Sequence, residues 1–455
     1  MSFECFTSKT PRAIPIETVN KKTLPAWLAK HPKSRDWLAS TGFKAEPGTF
    51  AFLANGNGQV DRVLAAPVEG DGVWALAGLP MSLPEGTYRV EGNGKDDTDT
   101  ALGWALGSYE FKRYRKPKRS PAVLVWPKKA DRKEVERLAS SVFLARDLIN
   151  TPAEDMGPPH LEAAVRAVAK ECGARATAIV GDELLKKNYP TIHAVGRASA
   201  RPPRLIDLRW GNEKHPKVTL VGKGVCFDSG GLDLKPAAGM LEMKKDMGGA
   251  AVMLALARAL ISANTPIRLR LLIPAVENSV AGNAYRPLDI VRTRGGKTVE
   301  IGNTDAEGRL ILCDALAEAD REKPELLIDA ATLTGAAKIA LGPEVQALFC
   351  DDDRVAASMV KAGSEVGDPL WRLPIWRPYR KNIDGKCADL NNVASNTYAG
   401  SIIAALYLAE FVSAAKTWAH LDIMAANTAT KPGRPEGGEA TGMRALYRYI
   451  RRRYA

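Results

Sequence analysis

KVTLVGKGVCFDSGGLDLKPAAGMLEMKKDMGGAAVMLALARALI, residues 217–261, is the stretch on which the fold turns. A β-branched run, Val218–Val221, meets a glycine-flanked lysine, Lys223. A polar, glycine-rich loop follows, and Ala250–Ile261 then reads as an Ala- and Leu-rich helix. The same alternation returns in IRLRLLIPAV, in VEIGNTDA before RLILCDALAEAD, and in LLIDAATLTG. Short apolar strands alternating with helices predict an α/β domain whose mixed sheet is sandwiched by helices. Ligands in such sheets sit at the carboxyl ends of strands, where the glycine-rich segments after VTLVGKG, VEIG and LLIDAATLTG are expected.

Working outward, the 455 residues exceed the roughly 250–300 at which single cores divide, so two domains are expected. Residues 1–130 read as a smaller N-terminal α/β domain, with NGNG between apolar runs (TFAFLANGNGQVDRVLAAPV) as a hairpin. KRYRKPKRSP marks the transition, and Asp131 is placed to cap a connecting helix over 131–150 that buries Leu138, Val142, Ala145 and Ile149. Residues 131–455 then form the larger C-terminal α/β domain.

Composition excludes several classes. No apolar run approaches the ~18 residues of a membrane span, and the N-terminal segment has no apolar signal-peptide core. Six scattered cysteines without a CxxC pair predict reduced thiols and a cytoplasmic protein. Five histidines without close pairing argue against a His-based zinc site, so any metal is expected on oxygen. The net charge of +12 concentrates in Lys112–Arg119, Lys128–Arg137 and Arg444–Arg453. These are solvated basic segments or a footprint for nucleic acid, although no nucleic-acid-binding motif accompanies them.

Between Lys223 and Arg309 the chain places seven metal- or anion-handling side chains: Lys223, Asp228, Lys235, Asp246, Asp305, Glu307 and Arg309. Four carboxylates buried without counter-ions would cost several kcal/mol per unpaired ion, and two divalent cations would neutralise them. Each residue also has an ordinary reading. Asp305 and Glu307, on the same side of an extended segment, could be first-turn capping acids; Asp246 could cap the helix after it, and Asp228 could form a turn. Lys223 and Lys235 could be strand-end surface lysines.

The order GKG-x4-DSGG, LKP, MK-x-DMGG and NTDAEGRL closely resembles the leucyl (cytosol) aminopeptidases, dinuclear metallopeptidases. RDLINTP, TLTGAAKIALG, WRLPI, CADLNN and HLDI extend the resemblance over about residues 135–455. The first 130 residues resemble the family only in general character, as a macro-like domain.

The resemblance implies that Lys223, Asp228, Asp246 and Glu307 hold one divalent ion, Mn or Zn. It gives Asp228, Asp305 and Glu307 to a second ion, with Asp228 and Glu307 bridging and the Asp305 carbonyl contributing. Lys235 looks like the catalytic lysine, and Arg309 like the anchor of a bicarbonate general base. Met243, Thr332 and Gly335 resemble lining residues of the pocket for the N-terminal side chain, with Asn303 a nearby polar support.

The implied activity is release of N-terminal residues, preferably Leu or Met, from peptides by a metal-activated water, in a homohexamer without membrane attachment. Lys223 would have to lose a proton to act as a ligand, at roughly 4–5 kcal/mol at pH 7. One position departs from the family pattern. Asp233 stands where Ser is usual, either facing solvent or acting on Lys235 and metal choice. A DNA-binding regulatory protein on a peptidase scaffold is the alternative, and a dinuclear phosphoesterase is disfavoured by the lysine pair and the missing histidine ligands.

Overall fold

The computed structural model of the chain describes residues 3–9, 12–68, 72–91 and 97–455. It divides into one compact unit of Met1–Phe143 with Ala429–Glu436, and a second of Leu144–Thr428 with Gly437–Ala455. The division falls inside the helix Arg132–Asn150, C-terminal to the boundary expected at 130.

The first unit is built on a six-stranded sheet. In spatial order its strands are Phe6–Thr7, Val123–Val125, Thr87–Val90, Ile14–Thr18, Val60–Ala65 and Phe50–Ala54. All neighbours are parallel except the last two, which are the expected hairpin. Its turn closes through Asn55 N to Gln59 O (2.9 Å), with Gly58 at φ +75°. Ile16, Val63, Tyr88, Leu124 and Trp104 fill the core behind this sheet.

Asp131 caps the connecting helix as expected, accepting from Glu134 N at 3.0 Å. Leu138, Val142, Ala145 and Ile149 are all buried.

The second unit carries a nine-stranded mixed sheet. Across it run Leu370–Arg372, Gln346–Cys350, Trp418–Asp422, Leu326–Ala331, Lys217–Gly222, Arg268–Asn278, Arg204–Trp210 and Arg175–Val180. The short strand Gly224–Asp228 pairs with the end of Arg268–Asn278. Five residues of Lys217–Gly222 and all six of Leu326–Ala331 are buried, which requires cover on both faces. Gly248–Ser262 packs with Pro158–Cys172 and Met443–Arg453; Glu307–Asp320 packs with Pro190–Gly196 and Gly400–Ala409. Each set also touches the central strands.

Parallel pairing of Lys217–Gly222, Leu326–Ala331 and Trp418–Asp422 brings their carboxyl ends to one edge, with Ala330 opposite Gly222 and Ala331 opposite Asp422. The expectation for VEIG needs correction. Thr298–Glu300 belongs to a separate three-stranded sheet with Ile290–Arg292 and Leu390–Asn391, because the strand is only three residues long and takes Ile290–Arg292, just before it in the chain, as an antiparallel partner. No helix among the described residues is long and apolar enough to cross a membrane.

Two fully buried ionisable groups sit side by side in the central sheet. His420 Nδ1 lies 2.6 Å from Asp329 Oδ1, and Trp418 Nε1 donates to Asp329 Oδ2 at 2.8 Å. Burial opposes the imidazolium, but the adjacent Asp329 carboxylate outweighs it and raises the His420 pKa. A raised folded-state pKa gives stability that is complete below the unfolded value near 6.5 and lost as pH rises through the folded value. The midpoint of thermal unfolding should therefore fall as pH is raised from about 6 through that folded value. Asp329→Asn should lower stability by about 3–5 kcal/mol and flatten this pH dependence; an unchanged profile in the variant would refute the coupling.

Candidate metal centre

Lys223 occupies the residue immediately after the central strand, and its backbone fastens three elements together. Its amide donates to Ala330 O (3.0 Å) and its carbonyl accepts from Ala250 N (2.9 Å), joining neighbouring strand and helix. Gly249 permits this approach, since a Cβ there would stand 2.1 Å from Ala330 O. The buried Nζ then reaches Asp246 Oδ2 (2.7 Å), Glu307 Oε1 (2.8 Å) and Thr332 O (3.0 Å). Gly308 leaves room for the lysine stem, because a Cβ there would lie 2.7 Å from Lys223 Cε.

Asp228 ends the Gly224–Asp228 strand and is buried. Its Oδ1 accepts from Gly230 N and from Asn278 Nδ2, both at 2.9 Å, so its turn-forming role is present as well. Its Oδ2 lies 2.8 Å from Lys235 Nζ, which also pairs with Asp305. Asp246 does not cap the following helix. It sits in the 3-10 turn Met243–Met247, leaving Met247 at the cap position, and its Oδ1 accepts from Thr332 Oγ1 at 2.7 Å.

The segment around Asp305 also differs from the extended strand expected for it. Asn303–Ala306 forms a turn, and Glu307 rather than Arg309 opens the helix Glu307–Asp320. Asn303 Oδ1 accepts from Asp305 N at 2.7 Å, which tightens that turn. The turn presents Asp305 outward while the helix start buries Glu307, so the two carboxylates converge without a strand.

Oxygens of Asp228, Asp305 and Glu307 all lie within 4.8 Å of one another. Burial, compounded by Asp228, pushes the Asp305 carboxyl up to about 6 and the Glu307 carboxyl well above its usual range. Burial disfavours the ammonium of Lys223, yet Asp246, Glu307 and Asp228 outweigh it and raise its pKa; Asp228 and Asp305 do the same for Lys235. Four carboxylates thus share two ammonium charges. A hard-oxygen donor set with this surplus of negative charge fits divalent cations.

Lys223, Asp228, Lys235, Asp246, Asp305 and Glu307 line a cavity of about 330 Å3 together with Met243, Thr332 and Gly335. Arg309 and Asn303 do not line it. The Arg309 guanidinium is buried, with Nη1 donating to Asn392 O at 2.6 Å and Nε making no hydrogen bond. Asn303 stands behind Asp305 as a support.

Some residues of the site escaped the sequence reading. Asn278 bridges Asp228 Oδ1 and Thr304 O (2.9 and 3.1 Å), and Asp422 accepts from Leu333 N and Thr334 N (3.1 and 3.2 Å) to shape the cavity wall. Lys245 and Lys338 also line the cavity. Only Asp422 had a local signal, in HLDI; Asn278 merely ends an apolar strand.

A family model described as the cytosol aminopeptidase family, catalytic domain, matches residues 143–447. A model of the M17 aminopeptidase N-terminal domain matches residues 14–127. A probable cytosol aminopeptidase of Geobacter sp. (strain M21) is 37% identical over 444 residues, spanning 94% of this chain and 87% of that protein. The crystal structure of the cytosol aminopeptidase from Coxiella burnetii matches with a TM-score of 0.95 and 48% identity, covering 99% of this chain and 100% of that one. The bottromycin maturation enzyme BotP in complex with Mn matches with a TM-score of 0.86 and 33% identity, over 97% and 99% of the two chains.

Because Gly308 gives Lys223 its path, Gly308→Ala should displace the lysine stem. An overpacking cost of about 1–3 kcal/mol is expected in thermal unfolding, along with a loss of divalent-cation affinity in calorimetry. Unchanged cation binding would show that the lysine path is not needed.

Proposed function

This chain belongs to the cytosol aminopeptidase family and is a metal-dependent aminopeptidase, and from that premise we propose how its residues divide the work. The carrying observation is the convergence of Asp228, Asp305 and Glu307 oxygens within 4.8 Å, flanked by Lys223 and Lys235 in a cavity of about 330 Å3. The aminopeptidase reading, and not a DNA-binding regulatory role, is what the relatives support.

In this reading Lys223, losing its proton as an incoming cation takes over the neutralisation of Asp246 and Glu307, would join Asp228, Asp246 and Glu307 in holding one divalent cation, and Asp228, Asp305 and Glu307 would hold a second, either Mn or Zn. Such cations would supply positive charge, polarisation of the scissile carbonyl and acidification of a water. Lys235, positioned by Asp228 and Asp305, donates to the oxyanion as the carbonyl becomes tetrahedral. Arg309 would anchor a bicarbonate that accepts the proton of the attacking water. The buried Nε of Arg309, which makes no hydrogen bond, supports that assignment. Thr332 holds Asp246 through its hydroxyl, and Asn303 holds the Asp305 turn.

The preference for an apolar first residue such as Leu or Met rests on the cavity wall, where Met243, Leu333, Ala337, Ile423 and Met424 surround Thr332 and Gly335. Peptides are the substrates. A homohexamer in the cytoplasm completes the reading. It is supported by the relatives named cytosol aminopeptidase, by six free cysteines, and by apolar side chains such as Leu241 (83% exposed) and Ile339 (88%) available for self-association.

Leucine p-nitroanilide should be hydrolysed by the purified protein, fall silent after chelation, and be cleaved again once Mn or Zn is restored. Glu307→Ala, which removes a shared donor, should stay silent under all three conditions. Turnover that survives chelation, or near-wild-type turnover in the variant, would sink the assignment. Light scattering should return six times the 49.1 kDa chain mass; a monomer would refute the hexamer.

A further inference from the structure

Lys235 closes a loop, Ser229–Leu234, that follows the Asp228 strand. Within it Gly230 and Gly231 take φ of +89° and +67°, and Leu232 and Leu234 are 42% and 60% exposed. Its base is closed locally, by Lys235 N to Ser229 O (3.0 Å) and Ser229 N to Asn278 O (3.1 Å). The tip needs a separate hold, and Thr304 provides it. The Thr304 hydroxyl donates to Gly230 O (2.6 Å) and accepts from Asp233 N (2.8 Å), while Thr304 N donates to Asp233 Oδ2 (2.7 Å). Thr304 O is itself held by Asn278 Nδ2 (3.1 Å), which also donates to Asp228. Thr304 is fully buried, so its backbone cannot drift with the surface.

We propose that Asp233 is a positioning residue that clamps the Lys235 loop onto the Asp305 turn and so sets the spacing of Lys235, Asp228 and Asp305. Asp233 is exposed, yet its Oδ2 turns inward to Thr304, while the ion pairs of Lys235 are with Asp228 and Asp305. Its carboxylate reads the amide immediately preceding Asp305, through a charge-assisted hydrogen bond. Where the resembled family usually carries Ser, this chain has a longer, charged acceptor that reaches Thr304 N. The clamp deepens the metal-dependent aminopeptidase reading and rests on it. Outer partners of this kind change metal affinity or activity by about 10–100-fold when removed.

Asp233→Ala, Asp233→Asn and wild type would be compared by steady-state hydrolysis of leucine p-nitroanilide and by calorimetric titration with Mn2+ in the absence of substrate. The alanine variant should lose roughly 10-fold in kcat with KM little changed, and a comparable factor in Mn2+ affinity. The asparagine variant, whose amide oxygen stands where Oδ2 stood, should recover most of both. Alanine matching wild type in both readouts would overturn the clamp. So would asparagine falling as far as alanine, which would point to charge and not position. If the alanine variant does not fold, Asp233→Gln, which moves the acceptor by one methylene, takes its place with the same expectations. A wild type that binds Mn2+ but cleaves nothing would refute the aminopeptidase reading, while the titrations still decide the clamp.

Discussion

Lys223 is the member on which the second unit depends. Through its backbone it joins the central strand, the neighbouring strand and the start of a helix. Through its ammonium it holds Asp246 and Glu307 together, both largely withdrawn from the surface. Like charges at this range repel strongly in a poorly solvated interior, so geometry and counter-charge must be supplied together. That constraint explains the two glycines beside it: Gly249 lets the backbone close in and Gly308 lets the side chain through.

Neutral hydrogen-bonding groups behind the carboxylates then fix what Lys223 leaves free. Asn278 spans Asp228 and the Thr304 carbonyl, Thr332 bonds Asp246, and Asn392 accepts from and donates to the Asn303–Arg309 segment. None of these groups carries charge, so each can be buried without a counter-ion provided it finds its partner. The site is therefore rigid on its buried side and movable mainly on the Lys235 loop, where two glycines and two exposed leucines leave Asp233 as the main outward hold.

Much of this was legible in the chain. Mostly apolar runs such as Val218–Val221 and Leu326–Ala331, each broken by one polar residue (Thr219, Asp329), announced strands covered on both faces, and NGNG announced its hairpin. Six of the seven charged residues singled out from the sequence converge on the cavity, and Arg309 lies behind it. What failed was local conformation. Two carboxylates two residues apart suggested a strand, but a turn followed by a helix start brings Asp305 and Glu307 together equally well. VEIG joins a different sheet, because a strand of three residues carries no mark of which sheet it will join. Asn278 was invisible because its importance comes from two partners that lie 50 and 26 positions away.

The excursion of Ala429–Glu436 into the first compact unit makes the second unit discontinuous in sequence. Gly433, at φ +71°, sits so close to Trp74 and Ala77 that a Cβ would come within 2.7 Å of the alanine methyl, and the Arg434 guanidinium lies 4.9 Å over the Trp74 ring. Excising the first 143 residues would therefore leave an eight-residue peptide without its binding partner, hanging between Thr428 and Gly437. In evolutionary terms, the smaller module cannot be traded for another by a single crossover, because its successor would need to recognise this returning peptide as well as join the helix.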